Sequence, residues 1–585
     1  MKRFSAFCVI VVALIAAMMP SVYAGPSGKM PVMYINTENS EPITSKDVYL
    51  QASYWLDPCG VEGVEAFGSE AEPLALQIRG RGNYTWKDFD KKPYRIKFDK
   101  KTPILGMKKS KHFALLAHAD DNLGFLRNDL GFELSRRMGL AWTPTAEPVE
   151  VVLNGDYIGL YFLTETIRVD ADRVNIVEQA DNETDPEKIT GGWLVEIDNY
   201  NTDPHVTILE NGDSKEQIWF TYKTPEELSA EQENYLRSSV QAVDDAIYGD
   251  ETDAAVCAEL EKLVDLDELA RFYIVQEIMD DCESFHGSCY LNRDQGADSK
   301  WKFGPVWDFG NSFRRGDKSK FIYDEPAFHQ VWIGKIAKFA AFQDKVKALW
   351  KEFAESGCEG LTEWIDAEVA RMSAAAEADA ERWSDYGNHD LVSRGNKMKR
   401  LYINSTKWLA EKWGTPMPDQ MPTVYLRGTF NNWQTTDPFT FVGNGIYEIS
   451  GINMASDATF KIATSGWDVV NLGATPDVAL EIGVEYPLTD IGENIPLPTA
   501  LENATFRLNL NAKTVLVTMG DSSVDVIDGD TPYTVSGNLL NASVPVVVYN
   551  VAGVSVWQGV GSVSLNKGIY IIVAPNGNVS KVIIR

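Results

Sequence analysis

The stretch VEVVLNGDYIGLYFLTETI, Val149 to Ile167, decides the architecture of the first part of this chain. Apolar and β-branched residues lie on both sides of Asn154-Gly155, a dipeptide typical of the two-residue turn of a β-hairpin. We therefore predict an antiparallel strand pair here. Similar short runs lie between residues 32 and 222, and each predicts a strand: LALQIRGRGNY, KKPYRIKF, HFALLAH and GGWLVEIDNY.

Helical periodicity interrupts these strands once and then replaces them. LRNDLGFELSRRMG repeats apolar residues at helical spacing and ends at Gly139. From Glu226 to Trp413 long amphipathic segments follow, with one predicted strand pair, SCYLNRD…KWKFGPVWDFG, between them. This order predicts an α+β domain in which a mixed sheet is followed by helices.

Beyond Trp413 the pattern changes again. The proline-rich GTPMPDQMP, residues 414–422, predicts a linker. Residues 423–520 predict a β-sandwich, and residues 531–585 predict a last all-β domain. The expected fold class is therefore α+β with two C-terminal all-β domains.

The first 24 residues have the pattern of a secretory signal peptide. Two basic residues precede an apolar run, and Val22-Tyr23-Ala24 is a small-residue cleavage site. We expect cleavage after Ala24, a secreted or cell-surface protein of residues 25–585, and no transmembrane span afterwards. The five remaining cysteines are too few for a disulfide framework, although an oxidising compartment would permit a Cys282–Cys289 pair.

Charge is distributed unevenly along the chain. The formal net charge of −30 argues against nucleic acid as a partner. Twelve Lys or Arg residues nevertheless lie between Arg79 and Lys111, against three Asp. Strand alternation places Arg95 and Lys97 on one face. This segment predicts either a phosphate-binding surface or a solvated strand face.

Carboxylates gather around the tripeptide Asp308-Phe309-Gly310. Asp281 and Glu283 follow a predicted helix, and Asp308 lies downstream in FGPVWDFGNSF. Such carboxylates could hold Mg²⁺ and orient an attacking hydroxyl for phosphoryl transfer.

Other acids offer a different chemistry. Glu196 and Asp198 share a strand face and Glu165 ends a strand, and a carboxylate pair would also suit a glycosidase. His118 and His286 are isolated, so we expect structural roles for both.

Six motifs in order resemble the CotH family, secreted atypical kinases related to spore-coat protein H. They are IRGRGN…KKPYRIKF, LLAHADDNLGFLRNDLGFELSRRMGL, VVLNGDYIGLYFLTETI, GGWLVEID, HGSCYLNRD and FGPVWDFGNSF. The resemblance covers residues 25–413 as a kinase-like domain. It implies transfer of phosphate from ATP, with Mg²⁺, to Ser or Thr of a protein substrate.

The resemblance also implies a set of site residues. Asp308, Glu283 and Asp281 would be catalytic, and Asp308 and Glu283 would hold the metal. The candidates for binding nucleotide phosphates, with Lys97 first, are Lys97, Arg95, Arg79, Arg81 and Arg127.

Two departures from the family pattern support other readings. Relatives commonly have Asn-x-Asp where this chain has Asp281-Cys282-Glu283, and often Asp where Gly310 stands. The alternative is a non-catalytic surface protein that binds a glycan or a partner on a kinase-like scaffold. A carbohydrate-active enzyme is the third hypothesis.

The C-terminal part carries two further resemblances. Through YLRGTFNNW and FKIATSGWDVVNLG, residues 423–520 resemble starch-binding and outer-surface glycan-binding sandwiches of gut Bacteroidota. Trp433 and Trp467 would then stack on sugar rings, aided by Asn431 and Asn432; the alternative is a spacer sandwich. Residues 531–585 resemble the C-terminal sorting domain of type IX secretion.

Overall fold

The computed structural model describes residues 25–584 except 201, 212–215, 297, 385–389, 416, 418–422, 444–445, 468–469, 511, 520–532, 537, 551–554 and 575–578. The expected signal peptide and most of the predicted linker therefore lie outside the described residues. The chain divides into two compact units, Met1–Gln420 and Met421–Arg585.

The first unit begins with a closed barrel of strand order β1-β2-β3-β4-β5-β7-β6. The strands are β1 Val32–Thr37, β2 Leu50–Asp57, β3 Leu74–Gly80, β4 Tyr94–Thr102, β5 Ser110–Leu116, β6 Ala146–Leu153 and β7 Asp156–Glu165. Alternate side chains, such as Ile78, Ile96 and Phe113, fill the barrel interior. The residues between them therefore face outward.

The hairpin predicted at Asn154-Gly155 is confirmed. Both residues have positive φ, 52° and 81°, and Leu153 pairs with Asp156 across the turn. This is the backbone that a two-residue primed turn requires.

A second sheet of five strands has the order β12-β11-β8-β10-β9. Its strands are β8 Trp193–Asp198, β9 His205–Leu209, β10 Gln217–Thr224, β11 Cys289–Arg293 and β12 Lys302–Phe303. The strand pair predicted between the helices is therefore confirmed as β11 and β12, paired through Leu291 and Phe303. The single mixed sheet expected from the sequence is in fact a barrel and a separate sheet, because β1 closes the barrel by pairing in parallel with β6.

Nine α-helices are described, all in the first unit. They are α1 Tyr84–Asp88, α2 Arg127–Met138, α3 Ala230–Ile247, α4 Ala254–Leu263, α5 Leu266–Met279, α6 Ile333–Ile336, α7 Ala340–Glu352, α8 Leu361–Arg382 and α9 Leu391–Trp413. As predicted, α2 ends at Gly139, which has a φ of 79°. The short α1 was not predicted. Within the described residues, no helix is long and apolar enough to cross a membrane.

The second unit is built of strands around two cores of its own. A nine-stranded arrangement contains β13 Tyr425–Gly428, β14 Thr440–Gly443, β15 Ile446–Met454, β16 Thr459–Ala463, β17 Asn471–Ala474, β18 Glu485–Asp490, β19 Ile495–Pro496, β20 Leu501–Asn509 and β21 Thr514–Thr518. A five-stranded sheet contains β22 Tyr533–Ser536, β23 Leu539–Asn550, β24 Ser555–Ser564, β25 Gly568–Val573 and β26 Val579–Ile584. The expected combination of an α+β part and a β-rich part is thus confirmed.

The cysteines among the described residues are all free thiols, so the permitted Cys282–Cys289 pair does not form. Both residues are buried. Burial raises the pKa of the Cys282 thiol to about 12. These thiols therefore pack as small apolar groups.

Candidate functional site

Asp308 lies in a turn after β12 with its side chain exposed and its backbone in the left-handed region, at a φ of 58°. The next residue, Phe309, is fully buried. Its amide donates to Oδ1 of Asn128 at 2.8 Å, and its ring packs against Phe132 with centroids 6.0 Å apart. The same ring lies where a side chain on Gly131 would stand. Helix α2 therefore holds the turn that presents Asp308.

Three other carboxylates lie close enough to Asp308 to interact with its charge. Asp281 and Glu283 follow α5, and Asp120 lies between β5 and α2. Burial, then the charge of a neighbouring acid, raises the pKa of all three; Asp308 is among these neighbours in each case. The pKa of Asp120 rises to about 6, because nearby protein atoms partly desolvate its carboxylate and Asp308 adds a like charge, although the residue is exposed.

Gly310 leaves the space between two of these acids open. A Cβ atom at this position would lie 3.1 Å from Oδ1 of Asp308 and 3.8 Å from Oδ2 of Asp120. The two carboxylates therefore face a common space that any larger residue would partly fill.

Glu283 and Asp281 are held differently. One oxygen of Glu283 accepts from Nδ2 of Asn199 at 2.9 Å, and the other accepts from Nδ2 of Asn311. Asp281 is 1% exposed, and its Oδ1 accepts from the amide of Glu283 at 3.2 Å. The structure thus brings the predicted acids together, with both oxygens of Glu283 already bonded.

The donor set can be compared with what Mg²⁺ needs. Within the described residues, no group of three or more His, Cys, Asp or Glu side chains could hold a metal ion by itself. Mg²⁺ usually binds one or two carboxylates together with substrate phosphates and water. Asp308 and Asp120, facing one open space, fit that pattern.

Three of the predicted cations, Arg79, Arg95 and Lys97, lie on the outer face of the barrel. Arg79 and Arg95 are directly paired between β3 and β4, and Lys97 is paired with Gln77. The Nε atoms of Arg79 and Arg95 are buried and have no hydrogen-bond partner among the residues that the structure describes. Arg79, Arg95 and Lys97, together with Arg81 just after β3, therefore form one row of cations along two neighbouring strands.

Arg81, just after β3, is close enough to Asp308 to interact with its charge. Its guanidinium lies over the ring of Trp307, 5.7 Å from the centroid. Burial lowers the pKa of Arg81, and the charge of Asp308 opposes that change. In the described part of the chain, neither Arg81 nor the other three cations of the row lies within 4 Å of a carboxylate oxygen.

Arg127 has a different environment from these cations. It is buried, and its guanidinium donates to the carbonyl of Ser312 at 2.9 Å, to Oδ1 of Asn122 at 3.1 Å and to the carbonyl of Asp120 at 3.3 Å. These bonds fasten the loop carrying Asp120 to the segment after Asp308. Arg127 is thus occupied by protein oxygens rather than turned to a ligand.

The alternative acids are also engaged with other protein groups. Glu196 pairs with Lys223 at 2.9 Å, and the hydroxyl of Tyr290 bonds to it. Glu165 is buried and accepts from the amide of Thr145 at 3.1 Å. The geometry therefore gives no support to a glycosidase pair at these positions.

The two isolated histidines have packing roles. His118 is buried against Phe162 with ring centroids 4.6 Å apart, and burial lowers its pKa to about 4. Nδ1 of His286 bonds to the carbonyl of His329 at 3.1 Å.

In the second unit, Trp433 and Trp467 lie together. Their ring centroids are 6.0 Å apart with a tilt of 46°, and both rings are half-buried. Asn431 is used within its own turn, donating to Oδ2 of Asp437 at 2.7 Å and accepting from the amide of Gly428 at 2.9 Å. Asn432 is exposed beside the pair.

Comparison with known proteins addresses the first unit. A model of the family described as CotH kinase protein matches residues 77–410, more than half of the chain. The chain belongs to the CotH kinase family. The match contains the acids around Asp308 and the row of cations, and membership in this family implies a kinase-type transferase that uses ATP. No curated protein matches the chain.

The match to the CotH family model ends at residue 410, before the first strand of the second unit. It therefore bears on neither the glycan-binding resemblance nor the sorting-domain resemblance, and both stay predictions.

Several residues of this candidate site were not selected from the sequence: Asp120, Asn128, Asn199 and Asn311. Asp120 had a visible signal, because it lies in LLAHADDN, one of the motifs that carried the resemblance. The asparagines had none, since their roles depend on contacts between distant parts of the chain.

Proposed function

We propose that this chain is a secreted or cell-surface CotH kinase that transfers the γ-phosphate of ATP to a Ser or Thr hydroxyl of a protein. The observation that carries the proposal is the exposed Asp308, which shares an open space with Asp120 and lies near the unpaired Arg81. Anionic ligands for a metal beside cations for phosphate are the two components that phosphoryl transfer needs.

The residues divide into three roles in this proposal. Asp308 and Asp120 would hold Mg²⁺, which neutralises charge on the transferred group. Arg81, with Arg79 beside it, would bind the phosphates of ATP. Asp281, whose Oδ1 accepts from the amide of Glu283, would receive the proton of the acceptor hydroxyl.

The bond changes are those of a simple displacement. The acceptor oxygen forms a bond to the γ-phosphorus while the bond from that phosphorus to the bridging oxygen of ADP breaks. The hydroxyl proton passes to Asp281, and ADP leaves. Glu283 accepts hydrogen bonds from Asn199 and Asn311, and it would thereby fix the turn after α5 relative to the segment after Asp308.

Calorimetric binding of ATP, with and without Mg²⁺, tests the proposal on residues 25–585. We expect Mg²⁺-dependent binding that falls at least about 100-fold in Asp308→Asn, together with loss of autophosphorylation. Asp344→Asn, an exposed acid on α7, is the matched control and should behave as wild type. Folded wild-type protein that binds no ATP would contradict the kinase and favour a non-catalytic binding protein.

A second function is favoured by the tryptophan pair of the second unit. We propose that Trp433 and Trp467 bind a glycan by stacking on sugar rings. Arg427 supports the pair: its guanidinium lies 4.0 Å from the centroid of Trp467, and its Nε donates to the carbonyl of Trp433 at 2.8 Å. The two rings are therefore held before any ligand arrives.

Retardation in gels containing starch tests the glycan proposal. Trp433→Ala and Trp467→Ala should each abolish retardation. Phe441→Ala, an exposed aromatic of the same unit, should not. Equal migration of wild type and both Trp variants would indicate a spacer instead. Export by type IX secretion through residues 531–585 belongs to the same proposal of a surface protein.

A further inference from the structure

The row of cations extends beyond the part that faces Asp308. The amide of Arg81 donates to the carbonyl of Pro93 at 3.2 Å, Arg79 pairs with Arg95, and Lys97 is the next outward residue along β4. Two residues along a strand span roughly 6.6 Å. Lys97 therefore lies one such step beyond Arg95, in the direction away from Arg81.

His112 is the partner of Lys97 on β5. Burial is the main reason that the pKa of His112 is lowered to about 3, and the charges of Arg168, Arg95, Lys97 and Arg173 lower it further. Nδ1 of His112 is buried, and no described residue hydrogen-bonds to it. A neutral imidazole with an unused ring nitrogen thus lies among four cations.

Among the described residues, only one of those four cations has a carboxylate partner. Arg173 lies 3.9 Å from Glu165 and donates to the carbonyls of Thr166 at 2.7 Å and His112 at 3.0 Å. In the described part of the chain, Arg95, Lys97 and Arg168 have no carboxylate within 4 Å. Like charges without a counterion repel one another, and an anion among them would remove that cost.

We propose that Arg95, Lys97 and Arg168 form a second oxyanion site around His112, and that this site binds the phosphate monoester of a phosphorylated acceptor protein. The identity of the acceptor rests on the proposed kinase function; the oxyanion site does not. It is distinct from the nucleotide position at Arg81 and Asp308.

The chemistry favours a phosphate monoester. Such a group carries a charge of about −1.5 to −2 near neutral pH and offers three acceptor oxygens. Two guanidinium groups and an ammonium match it, and His112 could add a proton as a further donor once the anion is present. The net charge of −30 would repel a long polyanion, which argues for a single phosphate on a protein rather than a nucleic acid.

NMR of the histidine side chains tests this site directly, because the chain has six histidines and His112→Gln identifies one signal. At pH 6 we expect inorganic phosphate and a phosphoserine peptide to move the His112 signal toward the protonated position. Arg168→Ala should weaken this binding at least about tenfold, the loss expected for one charge-assisted hydrogen bond. Lys100→Ala, on an exposed residue of the same strand, should have no effect.

ATP with Mg²⁺ separates the possible sources of the phosphate. If phosphoserine peptide still binds at saturating ATP, the site is separate, as proposed. If ATP displaces the peptide from His112, the nucleotide occupies the site and the inference is wrong.

The remaining outcomes separate the oxyanion site from the kinase proposal. If no anion moves the His112 signal, the site does not exist, whether or not ATP binds elsewhere. If ATP does not bind at all while phosphate moves the signal, the kinase proposal fails and the oxyanion site stands. Lys97→Gln replaces Arg168→Ala if that variant does not fold.

Discussion

At the residue scale, two buried charged or titratable side chains near the candidate site, Asp129 and Lys318, offer tests of stability. Asp129 on α2 is buried, and within the described part of the chain its Oδ2 has no hydrogen-bond partner. Burial, then the charge of Glu368, raises its pKa from 3.8 to about 8. This carboxyl lies one residue after Asn128, which holds the amide of Phe309.

Asp129 should make stability depend on pH. Because its pKa is higher in the folded state, the unfolded chain loses this proton first as pH rises. The free energy of unfolding should therefore fall between pH 4 and pH 8. Asp129→Asn should remove this fall and stabilise the protein at pH 8 by an amount of order 2–5 kcal/mol. Urea unfolding at several pH values measures it, with Asp344→Asn as control; parallel pH profiles for variant and wild type would contradict the prediction.

Lys318 provides a second test at this scale. Its side chain is fully buried, 2.6 Å from Oε2 of Glu277 and 2.8 Å from Oδ1 of Asp280. Arg315 also pairs with Asp280, the residue before Asp281. The network therefore anchors the segment after Asp308 to the end of α5.

Lys318→Met should destabilise the protein by about 3–5 kcal/mol, because it leaves the buried carboxylate of Glu277 without its cation, whereas Asp280 keeps Arg315. Lys345→Met breaks a more exposed pair with Asp267, whose atoms are 2.9 Å apart, and should cost less than about 1 kcal/mol. Denaturant midpoints compare the two. Similar losses would show that the buried network contributes no more than a surface ion pair.

At the scale of the elements, helix α2 determines the position of the Asp308 turn. Gly131 on α2 leaves room for the ring of Phe309, since an added Cβ would overlap that ring. The helix propensity of Ala would by itself stabilise α2. A loss of stability in Gly131→Ala would therefore reflect the steric contact with Phe309.

Gly131→Ala should destabilise the first unit by about 1–3 kcal/mol and weaken Mg²⁺-dependent ATP binding, because Phe309 must shift and carry Asp308 with it. Gly334→Ala is the matched helical control, since its Cβ would lie 3.6 Å from Cβ of Tyr323, an ordinary contact. Thermal unfolding and calorimetry measure both effects. Unchanged ATP affinity in folded Gly131→Ala protein would show that α2 does not position Asp308.

The elements themselves were predicted unequally. The hairpin at Asn154-Gly155 and the end of α2 at Gly139 depend on local backbone preferences, so the sequence predicts them well. Closure of the barrel depends on the pairing of Val32 with Glu150, which are far apart in the chain. Helix α1 has only five residues, too few for a periodic pattern.

At the scale of the whole molecule, the hydrophobic clusters of the two units contain no shared residues. We therefore expect residues 423–519 to fold without the first unit. Cooperative thermal unfolding of this fragment, with strand-like circular dichroism, is the measurement. The same measurement on the fragment 25–413 tests the first unit. An unfolded 423–519 fragment beside a folded full chain would contradict the prediction.

The sequence by itself determined the order of strands and helices, the acidic Asp308 region, the row of cations and the family resemblance. These depend on local periodicity, turn preferences and residue types read in order. Only the tertiary structure decided that Asp120 shares a space with Asp308, that Arg127 is bonded to loop carbonyls, and that His112 lies among unpaired cations. The physical reason is distance along the chain: a charge or an amide acquires its role from groups that only folding brings within a few ångströms.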